Sequence, residues 1–253
     1  MTSSHHSALA LPLELSVVIP VCNEQDNVLP LAREIRAALG GRCRYETVFV
    51  DDGSTDGTAA AVRAARADGL PEIRLVRHAV RSGQSAAIAT GVREARSPRI
   101  ATLDGDGQND PADIPRLLDA LRGAASPRLR LVMGNRITRR DAWLRRVSSR
   151  VANGVRGWML RDGTPDTGCG IKVFDRAVFV DMPRFNHMHR FMPALYQREG
   201  YEVVSVPVNH RERTRGKSKY GLHNRLWVGI VDLFGVMWLI RRASPRIRID
   251  EDA

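Results

Sequence analysis

Leu15-Ser-Val-Val-Ile-Pro20, a helical pattern over about 25–39, and then Glu46-Thr-Val-Phe-Val-Asp51 decide how the chain folds. A short apolar run, an amphipathic helix and a second apolar run form the repeating unit of a parallel sheet. The unit recurs, with strands read at Glu72–Arg77, Arg99–Asp104 and Arg130–Gly134 and helices at about 56–68, 83–95 and 111–122. Strands separated by helices of this length imply right-handed crossovers. Such sheets bind ligands beyond the carboxyl ends of their strands. Three polar clusters stand at those ends: Pro20-Val-Cys-Asn-Glu24, Asp51-Asp-Gly-Ser-Thr-Asp56 and Asp104-Gly-Asp-Gly-Gln108. The second half reads differently, with Arg-rich amphipathic segments, a hairpin-like element around Gly168–Phe174, a strand at about 201–207 and a final apolar helix.

The 253 residues are 43% apolar, enough for a real core in one catalytic domain with a C-terminal extension. No run reaches the roughly 20 apolar residues of a membrane span, and residues 1–12 lack the basic start and apolar stretch of a secretory signal, which places the chain in the cytoplasm. Cys22, Cys43 and Cys169 have no metal-ligand spacing and read as reduced thiols. The net charge of +11 is concentrated: residues 136–161 hold eight arginines against Asp141, and residues 211–225 hold six Lys or Arg against Glu212. Two basic patches suit an anionic substrate or an acidic lipid surface. They lack the interleaved aromatic platform or a recognisable motif of a nucleic-acid site, so no nucleic-acid partner is expected, and a basic nucleic-acid- or membrane-binding module is the weaker reading.

Asp104 and Asp106, one residue apart where a strand opens into a loop, are hard oxygen ligands suited to Mg²⁺ or Mn²⁺, which would neutralise a diphosphate. Asp and Gly also favour turns, so the pair alone is ambiguous. Asp51 and Asp52 at a neighbouring strand end add weight, since four carboxylates at one sheet edge repel unless cations or donors offset them. Ser54 or Thr55 reads as a cap for the following helix. Asp52 is left over by that reading, and its carboxylate suits a base or ribose. No phosphate-binding glycine loop occurs, which leaves phosphates to a metal and basic side chains.

Val17-Val-Ile-Pro-Val-Cys-Asn-Glu24, Val50-Asp-Asp-Gly-Ser-Thr-Asp56 and Asp104-Gly-Asp-Gly-Gln108 closely resemble, in order, the signature of family 2 glycosyltransferases. Gly134-Asn-Arg136, Asp166-Thr-Gly-Cys-Gly170 and Arg213-Thr-Arg-Gly-Lys-Ser-Lys219 are similar to the dolichyl-phosphate mannose synthase and bacterial polyprenyl-phosphate glycosyltransferase branch. The resemblance covers about 14–220. It implies a GT-A fold: an α/β, Rossmann-like, mostly parallel sheet flanked by helices, here with a C-terminal amphipathic helical extension. It implies inverting transfer of a sugar from a UDP- or GDP-sugar to a polyprenyl phosphate, for envelope glycans or lipid A modification. Pro20, Cys22, Glu24, Val50 and Asp52 would line the nucleoside. Asp104, Gly105, Asp106 and Gln108 would surround the metal and diphosphate, with Asp104, Asp106 and Gln108 as the metal set. Arg213 and Lys219 would close over the donor phosphates. Cys22 departs from the branch, which commonly places tyrosine there, and so leaves the base open.

Trp143, Val147, Val151 and Trp158 share a helical face, which is either an amphipathic surface or a core-packing helix with a basic back. Set in the resemblance, Arg136 with Arg145 or Arg146 would grip the acceptor phosphate. Asp106, Arg136 and Asp166 are then the catalytic candidates, with Asp166 either a base or orienting group or simply a turn residue. A phosphate nucleophile is already anionic and needs no strong base, whereas transfer to a hydroxyl of a glycan or protein, the alternative, does. Leu226–Ile240 is apolar except for Asp232 and would span about 22 Å as a helix, short of a bilayer core of about 30 Å. It reads as an interfacial helix on an anionic membrane surface, with packing on the catalytic domain or on a membrane partner protein as alternatives. The division is a flexible N-terminus (1–13), a catalytic domain (14–220), a membrane-associating helix (221–243) and a tail (244–253), on the cytoplasmic side of the membrane as a peripheral or monotopic protein.

Overall fold

The computed structural model describes residues 12–136, 156–157, 159–160, 162–212 and 222–244. Seven strands form one sheet: β1 (Leu15–Val21), β2 (Tyr45–Asp52), β3 (Ile73–His78), β4 (Arg99–Thr102), β5 (Leu129–Arg136), β6 (Lys172–Asp175) and β7 (Glu202–Val208), in the order β3-β2-β1-β4-β6-β5-β7. All neighbours are parallel except β6, which runs antiparallel to both β4 and β5. The mostly parallel sheet expected from the alternation is therefore present. The hairpin-like element around Gly168–Phe174 is not a hairpin. Its apolar residues form the single strand β6, and β5 reaches it only after a long excursion, so no tight turn joins the two. The strand read to Asp104 ends at Thr102, because the chain turns there to present Leu103–Asp110 as a loop.

Helices α1 (Gln25–Leu39), α2 (Thr58–Ala67) and α4 (Ile114–Arg122) cover one face of the sheet, and α3 (Gln84–Glu94), α5 (Arg176–Val180) and α6 (Met192–Arg198) the other. The β1 pleat shows why: Leu15, Val17, Ile19 and Val21 join the first core, whereas Val18 joins the second, as period-two alternation requires. Both faces are buried, which is why the strands read as continuous apolar runs. On α3, a Cβ at Gly91 would sit inside contact distance of Val18 and Val50, so glycine lets the helix lie close on the sheet. The topological switch point lies at β1, whose connections lead to β2 on one side and whose other neighbour is β4. A ligand crevice is expected at those carboxyl ends.

The last helix, α7 (Leu222–Arg241), packs Val236 with Leu233, Met237 and Ile240 on Leu160, Phe191 and Ala194. Asp232 accepts from His187 Nδ1 at 2.9 Å, and Arg198 Nε donates to the Leu239 carbonyl at 3.0 Å. The opposite face leaves Val231, Phe234 and Trp238 exposed at 68%, 55% and 61%. No helix among the described residues is long and apolar enough to cross a membrane.

Candidate active site

The first two polar clusters are stitched together across the β1 and β2 ends. Asn23, in a left-handed conformation (φ 52°), donates its N–H to Ser54 Oγ at 2.9 Å and accepts from the Thr55 N–H at 2.8 Å. Thr58 Oγ1 accepts from the Glu24 N–H at 2.9 Å, and Glu24 in turn holds Asn27. Ser54 and Thr55 are therefore not the helix cap expected of them. The helix α2 begins later, at Thr58, whose N–H donates to Asp56 Oδ1 at 3.0 Å. Their hydroxyls serve the neighbouring loop instead, because the left-handed turn at Asn23 brings it within reach.

The carboxylates at the β2 end are each offset, as their crowding requires. Asp51 accepts from the Ser54 N–H at 2.9 Å and from Arg77 Nε at 2.8 Å. Asp52 accepts from His78 Nδ1 and from the Ser82 and Gly83 N–H groups, each at 2.8 Å. Burial works to raise the Asp52 carboxyl, but the donors from Ser82, His78 and Gly83 outweigh it and hold the group below its usual range. The same three contacts shape the β3–α3 turn that delivers Gln84.

Gln84 Nε2 donates to Asp104 Oδ1 at 2.8 Å, and Asn109 Oδ1 accepts the Asp104 N–H at 3.0 Å. A Cβ at Gly170 would strike the Asp104 carboxylate and approach Asn109 Oδ1 to 2.6 Å, so the backbone after Cys169 closes directly over this carboxylate. Burial first, and the charge of Asp106 second, raise the Asp104 carboxyl; Lys172, Arg136 and Gln84 pull it down. A crowded carboxylate beside a second one, with oxygen-only donors and a neighbouring Gln108, fits a hard divalent cation. Among the described residues no group of three or more His, Cys, Asp or Glu side chains converges as a metal cage. The candidate set is thus two carboxylates and an amide, which suits a cation shared with a substrate diphosphate.

Arg136, at the end of β5, meets Asp166 edge to edge: Nε to Oδ2 at 2.6 Å and Nη2 to Oδ1 at 2.7 Å, with the Arg136 N–H also reaching Oδ2 at 3.3 Å. Both side chains are largely buried. Burial opposes the Arg136 charge, but Asp166 more than restores it. Lys172 is buried, donates to the Cys169 carbonyl and is pushed down by burial against the pull of Asp104 and Asp166. The fold therefore brings Asp104, Lys172, Arg136 and Asp166 into one electrostatic neighbourhood. Gln84 and Lys172 were missed by motif reading. A signal for the lysine existed, since it stands alone in the apolar run Ile171–Phe174, whereas nothing local marks Gln84.

The acidic loop is also tied to the end of β7. Asn109 and His210 form an isolated antiparallel bridge, the Arg211 N–H donates to the Gln108 carbonyl at 2.9 Å, and Gln108 Nε2 reaches the Arg211 carbonyl at 3.4 Å. Of the anticipated site residues, Pro20, Cys22, Glu24, Asp52, Asp104, Gly105, Asp106, Gln108, Arg136 and Asp166 lie at this carboxyl edge of the sheet or in the loops beyond it, whereas Val50 lies inside β2 with its side chain fully buried in the core against Gly91 of α3, because the strand pleat turns it to that face. Arg145, Arg146, Arg213 and Lys219, and most of the Trp143–Trp158 stretch, lie outside the described residues.

Comparison with known proteins adds to this geometry. The profile of glycosyl transferase family 2 matches residues 16–182. Dodecaprenyl-phosphate galacturonate synthase of Rhizobium johnstonii is 37% identical over 239 residues, spanning 92% of this chain and 69% of the relative. Undecaprenyl-phosphate 4-deoxy-4-formamido-L-arabinose transferase of Edwardsiella ictaluri is 36% identical over 210 residues, 82% of this chain and 63% of the relative. Among solved structures, glucosyl-3-phosphoglycerate synthase of Mycobacterium tuberculosis, in complex with Mn²⁺, UDP and glucosyl-3-phosphoglycerate, superposes with a TM-score of 0.67 at 17% identity, covering 92% of this chain and 81% of that one. That likeness concerns the fold, which is the GT-A architecture anticipated above.

Proposed function

The chain belongs to glycosyl transferase family 2, and on that premise we propose that it moves a sugar from a UDP- or GDP-sugar to a polyprenyl phosphate, with inversion, at the cytoplasmic face of a membrane. The relatives named for prenyl-phosphate products support the acceptor class. The lipid-linked sugar would serve envelope glycans or lipid A modification.

One observation carries the choice of acceptor: Asp166, a candidate base or orienting group, is engaged by Arg136 through two short hydrogen bonds. A hydroxyl acceptor needs a base to take its proton. A phosphate acceptor, anionic at neutral pH, needs instead a held cation beside the donor, and Arg136 fixed by Asp166 is such a group. Asp166 is then a positioning residue that presents the guanidinium, and Arg136 offsets repulsion between two anionic substrates. Asp104, Asp106 and Gln108 would hold Mg²⁺ or Mn²⁺, which supplies charge neutralisation to the departing diphosphate. Pro20, Cys22, Glu24 and the Asp52-shaped turn would form the nucleoside wall, and Arg213 and Lys219 would cover the donor phosphates, with Arg145 or Arg146 joining Arg136.

The helix at 221–243 is the membrane-associating part of this reading. Its exposed Val231, Phe234 and Trp238 would enter the interface while the exposed Arg241 and Arg242 meet anionic headgroups. The test of the acceptor is a comparison of a polyprenyl phosphate with the matching free polyprenol. Transfer to the phosphate alone supports the reading, and equal transfer to the alcohol sinks it.

A further inference from the structure

We propose that Arg211 is a positioning residue for the metal site, fixing the amide of Gln108 so that its oxygen is the atom offered to a divalent cation. The inference rests on the reading of Asp104, Asp106 and Gln108 as the metal set, and names a residue outside that set that controls it.

A backbone carbonyl only accepts hydrogen bonds, so the Arg211 carbonyl selects the nitrogen end of the Gln108 amide, which lies 3.4 Å away. Oε1, the atom that ligates a hard cation, is left without a hydrogen bond among the described residues. The contact is long, and alone it would orient little. It is reinforced by the 2.9 Å bond from the Arg211 N–H to the Gln108 carbonyl and by the Asn109–His210 bridge, so residues 108–109 pair with residues 210–211.

The side chain of Arg211 keeps that pairing in place. The strand β7 has ended at Val208, so residues 209–211 no longer belong to the sheet. The Arg211 guanidinium reaches across to α1, where Nη1 meets Glu34 Oε2 at 2.6 Å, and back to the acidic loop, where Nη2 meets Asp110 Oδ1 at 2.7 Å. The Asn209 N–H adds a bond to Asp113 Oδ2 at 2.7 Å. One residue thereby binds the β7 exit, the first helix and the far end of the acidic loop into a single unit. Ion pairs this exposed contribute little to global stability. Their consequence is orientation: without the guanidinium the 209–211 segment is held to the loop by fewer contacts, and the Gln108 amide is free to rotate. Residues that orient metal ligands commonly change metal affinity roughly tenfold or more when removed.

The test is a titration of the full chain with Mn²⁺ in the presence of UDP, reading free Mn²⁺ by electron paramagnetic resonance. Arg211→Met is expected to weaken Mn²⁺ binding roughly tenfold, with UDP binding in chelator and the thermal midpoint nearly unchanged. Arg211→Lys, which keeps the charge but only one of the two reaches, restores part of the loss. Glu34→Gln, at a surface position of α1, is the second variant should Arg211→Met fold poorly, and it shifts the titration in the same direction by a smaller factor. A Mn²⁺ titration of Arg211→Met or Glu34→Gln that superposes on wild type overturns the inference while leaving the metal reading intact. Absence of Mn²⁺ binding by the wild-type chain with UDP overturns both.

Discussion

Arg136 and Asp166 are joined by two near-parallel hydrogen bonds, of 2.6 and 2.7 Å, across the gap between the end of β5 and the turn preceding β6. A fork of this kind holds a guanidinium plane at a fixed orientation, which lysine in place of arginine would not reproduce.

Asp166→Asn is expected to raise the apparent KM for polyprenyl phosphate by about tenfold or more while donor binding changes little, because the amide keeps one bond and loses the charge that aligns Arg136. Arg136→Ala removes the cation itself and lowers transfer further, with nucleoside diphosphate affinity again retained. Steady-state kinetics against each substrate, with calorimetric UDP or GDP binding, checks both. Equal loss of donor and acceptor binding contradicts the assignment.

Asp106→Ala is expected to reduce transfer by about 10²-fold or more and to abolish the stimulation by Mg²⁺ or Mn²⁺, since one of two carboxylates in the cation set is gone. The check is the rate against metal concentration, before and after chelation. A variant as active and as metal-responsive as wild type removes this loop from the chemistry.

Asp52 provides a pH signature. Its folded carboxyl lies below the ordinary value of 3.8 because Ser82, His78 and Gly83 donors outweigh burial. Its contribution is therefore fully present above the unfolded value and is lost as pH falls through the folded one. Asp52→Asn is expected to destabilise the chain by about 1–3 kcal/mol at neutral pH, and the deficit shrinks in acid below the unfolded value. Denaturant melts at a series of pH values measure it. A deficit that is constant down to strongly acidic pH would show that these hydrogen bonds do not distinguish the ionised form.

Trp238→Glu and Phe234→Glu are expected to weaken sedimentation with anionic vesicles. Burying one such side chain is worth about 1.5–3 kcal/mol, which corresponds to a loss of roughly tenfold or more in partitioning. Val236→Ala, on the packed face of α7, lowers thermal stability instead. Unchanged vesicle binding by both exposed-face variants would refute the membrane role of this helix.

The first half of the fold was legible because both faces of the sheet are buried and each βα unit is local, so apolar runs and helix periods coincide with elements. The clusters at Glu24, Asp52 and Asp104 were legible for the same reason, since the carboxyl ends of adjacent parallel strands must converge. What escaped reading depends on contacts distant in sequence. The strand β6 is placed between β4 and β5 by pairing with residues far from it, and no local pattern distinguishes that from a hairpin. Ser54 and Thr55 carry the composition of a helix cap, yet Asn23, some thirty residues away, claims them. Gln84 reaches Asp104 only because Asp52 folds the β3–α3 turn beneath it. Arg136 and Asp166 were each singled out, Asp166 as a base, an orienting group or a turn residue, but their pairing is a tertiary fact.

The most direct test of the account is transfer of radiolabelled sugar from a panel of UDP- and GDP-sugars to polyprenyl phosphate, followed by organic extraction, with and without divalent metal. The account predicts label in the organic phase from at least one donor, lost on chelation and in Asp106→Ala. Label that stays in the aqueous phase with every donor, while a nucleoside diphosphate still binds, would contradict a lipid phosphate acceptor.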